Sequence, residues 1–327
     1  MFKILGYNIV KKKWRKYLSF PDIIQSKYNK NRFFLVYRSG ESHHPLNSFI
    51  HFLVSENKCQ TWKEVHNFYL SLKKDGKVWN CPRLSYFPDG SLNIICDTKS
   101  SLTEKIADFN VFILKSNNKG NSFSITDSGI RGMVPDKVIP FKDKLFCANH
   151  IHDKRYNLLT QLVNISKDEG KTWHDCSILA RDKKHLFCEA SLINYKDNFL
   201  LAYIRDNRLG HQLICKYISF DGLNWESHGV LPVFGHRPTV ILDGNRVFVA
   251  HRDTKNITLA ITTATLTKKG REKNIETIDI DQELTDNKYH YGYTGMTKID
   301  KNLYYVTYYI TKENSHPFIK GCFLEWK

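Results

Sequence analysis

The sequence lacks any apolar run long enough to cross a bilayer. Its N-terminal apolar segment, Met1 to Val10, ends in lysines too early to form a secretory signal peptide. We therefore expect a soluble cytoplasmic protein with no membrane insertion. Linkers rich in proline, serine or glycine are also missing, so no domain boundary is indicated. Residues 1–327 are predicted to form one domain.

Cysteine pairs of the C-x-x-C type are absent, although the chain has eight cysteines. None of the eight stands at a metal-ligand spacing with a histidine. This pattern is typical of core thiols in a reducing compartment, and it disfavours both disulfides and zinc. We expect neither a metal nor a cofactor.

Acidic residues are scarce relative to basic ones, since 33 Asp and Glu stand against 49 Lys and Arg, for a net charge of +16. Such an excess favours anionic partners, namely acidic sugars, nucleic acid or a membrane surface, although a lysine-rich solvated surface explains it equally well. Outside Lys11 to Lys16 the basic residues are scattered, which disfavours nucleic acid.

A polar stretch ending in tryptophan, S-K-D-E-G-K-T-W at residues 166–173, has the residues of a tight turn. Serine and aspartate side chains bond nearby amides, glycine permits a positive φ, and tryptophan packs on the core. Related stretches begin at Ser55, Ser116 and Ser219, so the four starts lie 61, 50 and 53 residues apart. Recurrence at a near-constant period indicates a repeat architecture.

These turns resemble the Asp box, S-x-D-x-G-x-T-W, of sialidases and other proteins with bacterial neuraminidase (BNR) repeats. The resemblance implies an all-β fold, a β-propeller of four-stranded antiparallel blades with each box between the outer two strands. It also implies that the boxes lie on the face away from the active site.

A second repeat, of two apolar strands around a polar turn, gives the number of blades. Its reference positions lie 61, 53, 55, 48 and 57 residues apart, at Pro21, Pro82, Pro135, Ala190, Pro238 and Gly295. Six blades therefore fill the chain. The strand-like segments at Met1 to Val10 and Phe318 to Trp326 are predicted to pair and close the ring, which removes exposed sheet edges.

Equivalent residues of a repeat converge near the propeller axis, so the starts of the six innermost strands are expected to surround a pocket. Three sets of residues stand there. Directly before the reference positions are Phe20, Cys81, Val134, Glu189, Arg237 and Thr294, and one residue earlier are Ser19, Asn80, Met133, Cys188, His236 and Tyr293. The returning strands end at Arg38, Asp97, His150, Arg205, Arg252 and Tyr309.

The charges in these sets predict a concave, mostly positive pocket, because arginine forks suit carboxylate ligands. The predicted substrate-binding residues are Arg38, Arg205, Arg237, His236, Asp97 and Arg252. The alternative is that Glu189 only neutralises its neighbouring arginines.

The sialidase resemblance assigns roles within this pocket. It implies that Tyr293 is the nucleophile, that Glu189 is its base, and that Arg205 and Arg237 hold a substrate carboxylate. A tyrosine nucleophile suits an anionic sugar because a neutral attacking group avoids charge repulsion.

Two departures from the family pattern stand in the first blade. Ser19 replaces the first arginine of the carboxylate-binding triad, and His44, beside His43, replaces the aspartate that acts as acid and base. A histidine transfers protons near neutral pH, so His44 is the candidate proton donor. The alternative for the histidine pair is a polar loop.

These residues predict an exo-acting, retaining glycoside hydrolase of sialidase type that releases a terminal acidic sugar, either sialic-acid-like or keto-deoxy. The expected partner is an acidic carbohydrate or glycoconjugate. Two alternatives stay open, a non-catalytic glycan-binding propeller and a lyase or hydrolase of uronate polysaccharides on the same scaffold.

Overall fold

The computed structural model describes residues 2–103, 107–208, 212–281, 291–312 and 316–327, so Met1 lies outside the described residues. Within these ranges strands dominate, and the only helix is the single turn α1 (Leu72–Asp75). No helix of the described residues is long and apolar enough to cross a membrane.

The described strands form six antiparallel blades of four strands each, as the second repeat predicts. Blade 1 contains β2 (Tyr17–Gln25), β3 (Phe33–Gly40), β4 (Asn47–Ser55) and β5 (Lys63–Ser71). Blade 2 contains β6 (Val78–Tyr86), β7 (Leu92–Lys99), β8 (Phe109–Ser116) and β9 (Ser124–Arg131). Blade 3 contains β10 (Ile139–Phe141), β11 (Lys144–Asp153), β12 (Leu158–Ser166) and β13 (Asp175–Ala180).

Blades 4 and 5 share one long strand, β17 (Glu226–Asp243), whose two halves pair with different neighbours. Blade 4 contains β14 (Phe187–Tyr195), β15 (Phe199–Asp206), β16 (Leu213–Ser219) and residues 226–234. Blade 5 contains residues 235–243, β18 (Arg246–Asp253), β19 (Thr258–Leu266) and β20 (Glu272–Asp281).

Blade 6 closes the ring with strands from both ends of the chain. It contains β21 (Gly292–Lys298), β22 (Leu303–Ile310), β23 (Phe318–Trp326) and β1 (Phe2–Lys11). The antiparallel pairing of β1 with β23 runs from Phe2 opposite Trp326 to Lys11 opposite Ile319. The predicted ring closure is confirmed.

Apolar side chains fill the spaces between adjacent blades. Six buried clusters lie one at each blade interface, for example around Phe34 and Trp79 between blades 1 and 2, and around Tyr309 and Leu18 between blades 6 and 1. Seven of the eight cysteines are buried, and Cys176 is exposed. The core is therefore a ring of interfaces around a polar axis.

The four polar turns share one hydrogen-bond pattern. Ser166 Oγ donates to Asp168 Oδ1 (2.8 Å) and accepts from the Gly170 amide (2.8 Å), while the Thr172 amide donates to Asp168 Oδ1 (2.9 Å). Equivalent bonds recur in the turns at residues 55–62, 116–123 and 219–225. Each turn joins the third and fourth strands of a blade, so it lies at the opposite end from the starts of the innermost strands.

A bulge interrupts the innermost strand of five blades just after its start, since the register shifts there in β2, β6, β14, β17 and β21. In blade 3 regular pairing begins only at Ile139, and Met133 makes an isolated bridge to His150. The left-handed residues at these positions are Phe20, Val134, Glu189, Arg237 and Tyr293, with φ between 42° and 57°. A bulge re-aims its side chain, and here it turns the side chains toward the axis.

The position of the bulge in blade 6 differs from the predicted alignment. Tyr293, and not Thr294, has the left-handed conformation shared by Glu189 and Arg237. Gly292, and not Tyr293, lies opposite Tyr309. The prediction took Gly295 as the equivalent of Pro238 and was therefore wrong by one residue.

In blades 1, 3 and 4 a polar residue two positions after the left-handed residue bonds to the next blade. Asp22 accepts a hydrogen bond from the Leu84 amide, and Asp136 accepts one from the Leu192 amide, both at 2.8 Å. Ser191 Oγ accepts from the Val240 amide at 3.3 Å. These bonds fix the angle between neighbouring innermost strands, which positions the residues at the pocket.

Candidate active site

A pocket of about 620 Å³ opens at the start of the innermost strands, on the face predicted from the repeat. Blades 1, 2, 3, 4 and 6 contribute to its wall. Residues that line it include Phe20, Asn80, His150, Glu189, Arg205 and Tyr293.

Tyr293, Glu189 and Arg205 form one hydrogen-bonded cluster in this pocket. The Tyr293 hydroxyl donates to Glu189 Oε1, and Arg205 Nη1 donates to Glu189 Oε2. Arg205 Nη1 also lies 3.4 Å from the Tyr293 hydroxyl oxygen. The sequence predicted all three residues, and the structure brings them together.

The charges of the cluster set its protonation. Burial raises the pKa of Glu189, but the positive charges of Arg205 and Arg237 outweigh burial and hold that pKa well below its ordinary value. Burial and the adjacent Glu189 charge raise the pKa of Tyr293 well above 10. At neutral pH the pair is therefore a carboxylate accepting the proton of a neutral phenol, the starting state for proton transfer from tyrosine to glutamate.

Arg205 is already extensively bonded by the protein. Its Nε and Nη2 donate to Asn207 Oδ1 at 3.1 and 2.7 Å, and its Nη1 pairs with Glu189. A guanidinium has five N–H groups, so few remain for a ligand. Arg205 thus neutralises Glu189 and has few N–H groups left to bind a substrate carboxylate.

Arg38 and Arg237 do not line the pocket. Arg38 is fully buried, lies 4.5 Å from the ring of Phe20 and donates to the His43 carbonyl oxygen (2.9 Å), so it supports the loop of the histidine pair. Arg237 is 1% exposed, and its guanidinium carbon lies 5.7 Å from the centre of the Tyr293 ring. The two arginines therefore influence the pocket indirectly, Arg38 through Phe20 and His43, and Arg237 through Tyr293.

His236 and Arg252 contact each other rather than the pocket. Arg252 Nη2 lies 3.2 Å from His236 Nδ1, and Arg252 Nη1 donates to the Tyr291 carbonyl oxygen (3.2 Å). Burial, together with the charges of Arg205 and Arg252, lowers the pKa of His236 to about 3. His236 is therefore neutral at physiological pH.

Asp97 binds backbone rather than facing the pocket. Its carboxylate accepts from the amides of Cys81 and Val134 (both 2.9 Å) and from the Asn80 side chain (2.8 Å). Since the residue is fully buried, these bonds occupy it within the protein. It ties the bulge of blade 2 to blade 3.

The histidine pair divides between the pocket and its surroundings. His43 lines the pocket, and its Nδ1 lies 3.1 Å from the Tyr17 hydroxyl. His44 lies outside the pocket wall and accepts a hydrogen bond from Lys99 Nζ at 2.8 Å. Partial burial and the charges of Lys99 and Arg38 lower the pKa of His44. His44, the predicted donor, is thus neutral and bonded elsewhere, whereas His43 faces the pocket.

Blade 3 supplies a wall that the sequence predicted only in part. His152, Asn157 and Leu159, around the hairpin between β11 and β12, line the pocket together with His150. Burial lowers the pKa of His150 to about 4, with Arg205 and Arg237 adding to the effect of burial and Glu189 opposing it. The hairpin lies outside the repeat alignment, so the sequence predicted only Met133, Val134 and His150 of this wall.

One group of metal-ligand types occurs beside the site. His185, Asp206 and Cys215 place their ligand atoms within 4.8 Å of one another. However, His185 Nδ1 already bonds Asp206 Oδ2 at 2.7 Å, and Asp206 Oδ1 accepts the Leu186 amide. These bonds hold the end of the strand that carries Arg205, which explains why the three residues lie together.

No protein-family model matches the chain, and no curated protein matches it. Solved structures do match. A protein of unknown function from Dyadobacter fermentans DSM 18053 superposes with a TM-score of 0.80 at 20% identity, over 100% of this chain and 99% of that one. The α-L-arabinofuranosidase Arb93A of Fusarium graminearum gives a TM-score of 0.75 at 12% identity, over 99% and 98%.

The NanB sialidase of Streptococcus pneumoniae gives a TM-score of 0.72 at 11% identity, over 99% of this chain and 70% of that one. At these identities the similarity establishes the fold, a sialidase-like β-propeller.

Proposed function

We propose that the protein is a retaining, exo-acting glycoside hydrolase of sialidase type, formed by one propeller domain over residues 1–327, whose four polar turns are Asp boxes. The observation that supports this most is the hydrogen bond from the Tyr293 hydroxyl to the Glu189 carboxylate inside the pocket. A nucleophile bonded to its base, with the base oriented by a third group, is the arrangement required for covalent catalysis.

In the proposed first step the Tyr293 oxygen attacks the anomeric carbon and its proton passes to Glu189. The glycosidic carbon–oxygen bond breaks, and the leaving oxygen takes a proton from His43. In the second step water attacks the anomeric carbon of the tyrosyl glycoside, giving its proton to His43 while Tyr293 regains its proton from Glu189. Two displacements at one carbon retain the configuration.

An acidic sugar is the first candidate for the substrate. A neutral phenol approaches an anionic sugar without the repulsion that a carboxylate nucleophile meets. The protein's charge of +16 attracts such ligands. In the pocket, Arg205 is the residue that would contact a substrate carboxylate.

A neutral glycoside is the second candidate, and one observation favours it. Arg205 is the only arginine that lines the described pocket, and Glu189 and Asn207 occupy most of its donors. Arg38, Arg237 and Arg252 are buried. This leaves less carboxylate-binding capacity than the sequence predicted. One structural neighbour is an arabinofuranosidase, which makes arabinofuranosides the neutral sugars to test.

The test is a panel of aryl glycosides assayed with the wild type and with Glu189→Gln. The panel contains α-ketosides of sialic acid and ketodeoxyoctulosonate, uronides and α-L-arabinofuranosides. Turnover of an acidic donor that Glu189→Gln loses supports the first candidate, and turnover of the arabinofuranoside alone supports the second. An unsaturated product absorbing in the ultraviolet would instead make the protein a uronate lyase. If no donor turns over but an acidic sugar binds to both proteins, the propeller is a glycan-binding module and the hydrolase proposal fails.

A further inference from the structure

Two arginines are buried on the propeller axis, deeper than the pocket. Arg83 of β6 and Arg237 of β17 are each 1% exposed. Arg83 stands two residues after the bulge of blade 2, at the level where Asp22 and Asp136 join neighbouring blades. Buried arginines are uncommon in proteins unless a partner compensates their charge.

Most donors of these two side chains have no partner in the described part of the chain. Nε and Nη2 of Arg83, and all three guanidinium nitrogens of Arg237, lack a hydrogen bond there. Only Arg83 Nη1 donates, to the carbonyl oxygens of Pro21 and Thr294 at 3.3 and 3.4 Å. Buried unpaired N–H groups are costly, and native structures satisfy them with bound water or an ion.

The two guanidinium groups adjoin the same segment of blade 6. Arg83 Nη1 contacts the Thr294 carbonyl oxygen, and the Arg237 guanidinium carbon lies 5.7 Å from the Tyr293 ring. Burial lowers the pKa of Arg83, and the charge of Arg237 is the next largest cause. Two like charges that act on each other in a buried site repel unless an anion lies between them.

The charged side chains around the axis have a net positive charge. Asp22 lies 3.1 Å from Lys137 and 3.8 Å from Arg83, and the Asp136 carboxylate accepts the Leu192 amide. Three cations, Arg83, Lys137 and Arg237, therefore face two carboxylates. Glu189 and Arg205 neutralise each other above them. One monovalent anion balances the group.

We propose that Arg83 and Arg237 together bind one small monovalent anion, of the charge and size of a halide, on the propeller axis beneath Tyr293. A halide accepts N–H groups from several directions and offers no hydrogen that itself needs an acceptor. The acceptors that Arg83 meets, Asp22 Oδ1 and the carbonyl oxygens of Pro21 and Thr294, all lie at its Nη1. Nε and Nη2 of Arg83 and the nitrogens of Arg237 therefore remain as donors to an anion. This site is independent of the proposed hydrolase activity.

The direct test is diffraction from wild-type crystals soaked in sodium bromide, recorded at the bromine absorption edge. We expect an anomalous peak within hydrogen-bond distance of nitrogens of both Arg83 and Arg237. Bromide peaks confined to the surface, or density on the axis that only water explains, would overturn the proposal. The wild type suffices, so this test does not depend on the folding of a variant.

The solution test compares thermal unfolding in sodium chloride and in sodium gluconate at equal ionic strength and pH. Because an anion that binds only the folded state stabilises it by mass action, chloride is expected to raise the wild-type Tm by about 2–4 °C. Arg83→Met is expected to remove this difference, and the matched control Arg155→Met, at an exposed arginine, to keep it. Equal Tm values in the two salts for the wild type would contradict the proposal.

Discussion

Tyr293 and Glu189 share a hydrogen bond across the propeller axis, although 104 residues separate them in the chain. Both occupy the left-handed bulge position of an innermost strand, in blades 6 and 4. A non-glycine residue at positive φ is strained, and such strain is retained where the surrounding structure enforces it. The bulge therefore provides the geometry that brings a phenol and a carboxylate together.

Replacing Tyr293 with phenylalanine removes only the hydroxyl that bonds Glu189. We expect the rate on whichever donor the wild type hydrolyses to fall by about 10²–10⁴-fold, because proton transfer between the pair is lost. Tyr309→Phe, which removes another buried hydroxyl on the adjacent strand, is the control and should stay within a few-fold of wild type. Steady-state kinetics measure both. Full activity in Tyr293→Phe would exclude Tyr293 as the nucleophile.

Donors with different leaving groups should distinguish the roles of His43 and His44. His43→Gln is expected to slow donors with poor leaving groups by about 10²-fold, because these need a proton, and to spare donors with a dinitrophenol leaving group. His44→Gln, the matched control, is expected to leave both rates unchanged, since His44 accepts from Lys99 outside the pocket wall. A set of aryl glycosides with graded leaving groups measures the difference. The opposite result would restore the role to His44.

The two interblade aspartates should differ in their need for charge. Asp22→Asn leaves Lys137 and Arg83 without their carboxylate, so we expect the free energy of unfolding to fall by about 3 kcal/mol. Asp136→Asn keeps an acceptor for the Leu192 amide, and Asp136, unlike Asp22, forms no ion pair within 4 Å in the described residues, although the charges of Arg237 and Arg83 partly oppose the rise that burial causes in its pKa. We expect a loss of about 1 kcal/mol. Urea denaturation measures both, and equal losses would contradict the charge argument.

The polar turns should affect stability alone. Ser166→Ala removes the acceptor of the Gly170 amide and the donor to Asp168, and we expect a loss of about 1 kcal/mol in the free energy of unfolding. Ser124→Ala, at an exposed serine of β9, serves as the control. Because the turn lies at the end of the blade away from the pocket, kcat should stay unchanged. A drop in kcat would contradict the prediction that this turn affects stability alone.

Acidification should destabilise the protein through its buried histidines. Burial lowers the pKa of His150 and of His251 to about 4, whereas an unfolded histidine titrates near 6.5. The unfolded chain therefore binds more protons below pH ~6.5, and stability falls from there to pH ~4, by roughly 3 kcal/mol per histidine. Urea denaturation between pH 7.5 and 4.5 measures the slope, and His251→Asn should reduce it. His174→Asn, at an exposed histidine, should leave the slope unchanged.

The repeat predicted which residues surround the axis, but not where every side chain points. It identified Glu189, Arg205 and Tyr293 because equivalent positions of a propeller share a place in space. Arg237 occupies the same position as Glu189, yet its longer side chain lies buried against the Tyr293 ring. Spacing cannot distinguish these outcomes, since packing against neighbouring blades decides them.

Positions that lack a clear repeat signature were predicted less well. In blade 6 no proline marks the reference position, so counting from Gly295 placed Tyr293 one position too early. The loop between the second and third strands differs in length and sequence from blade to blade, so alignment of the repeat did not show that the blade 3 loop brings Asn157 to the pocket. In a loop, neighbours such as His43 and His44 point in different directions, because no helix or strand period fixes the direction of their side chains.

The pairing of β1 with β23 has a consequence for synthesis on the ribosome. Phe2 lies opposite Trp326, so β1 lacks its strand partner until β23, more than 300 residues later, has been translated. At about 5–20 residues per second this delay lasts on the order of a minute or less. During that time Leu5, Tyr7 and Ile9, which stay exposed even in the finished protein, form part of an unpaired strand edge. We expect this edge to be open to pairing with other chains until β23 closes blade 6.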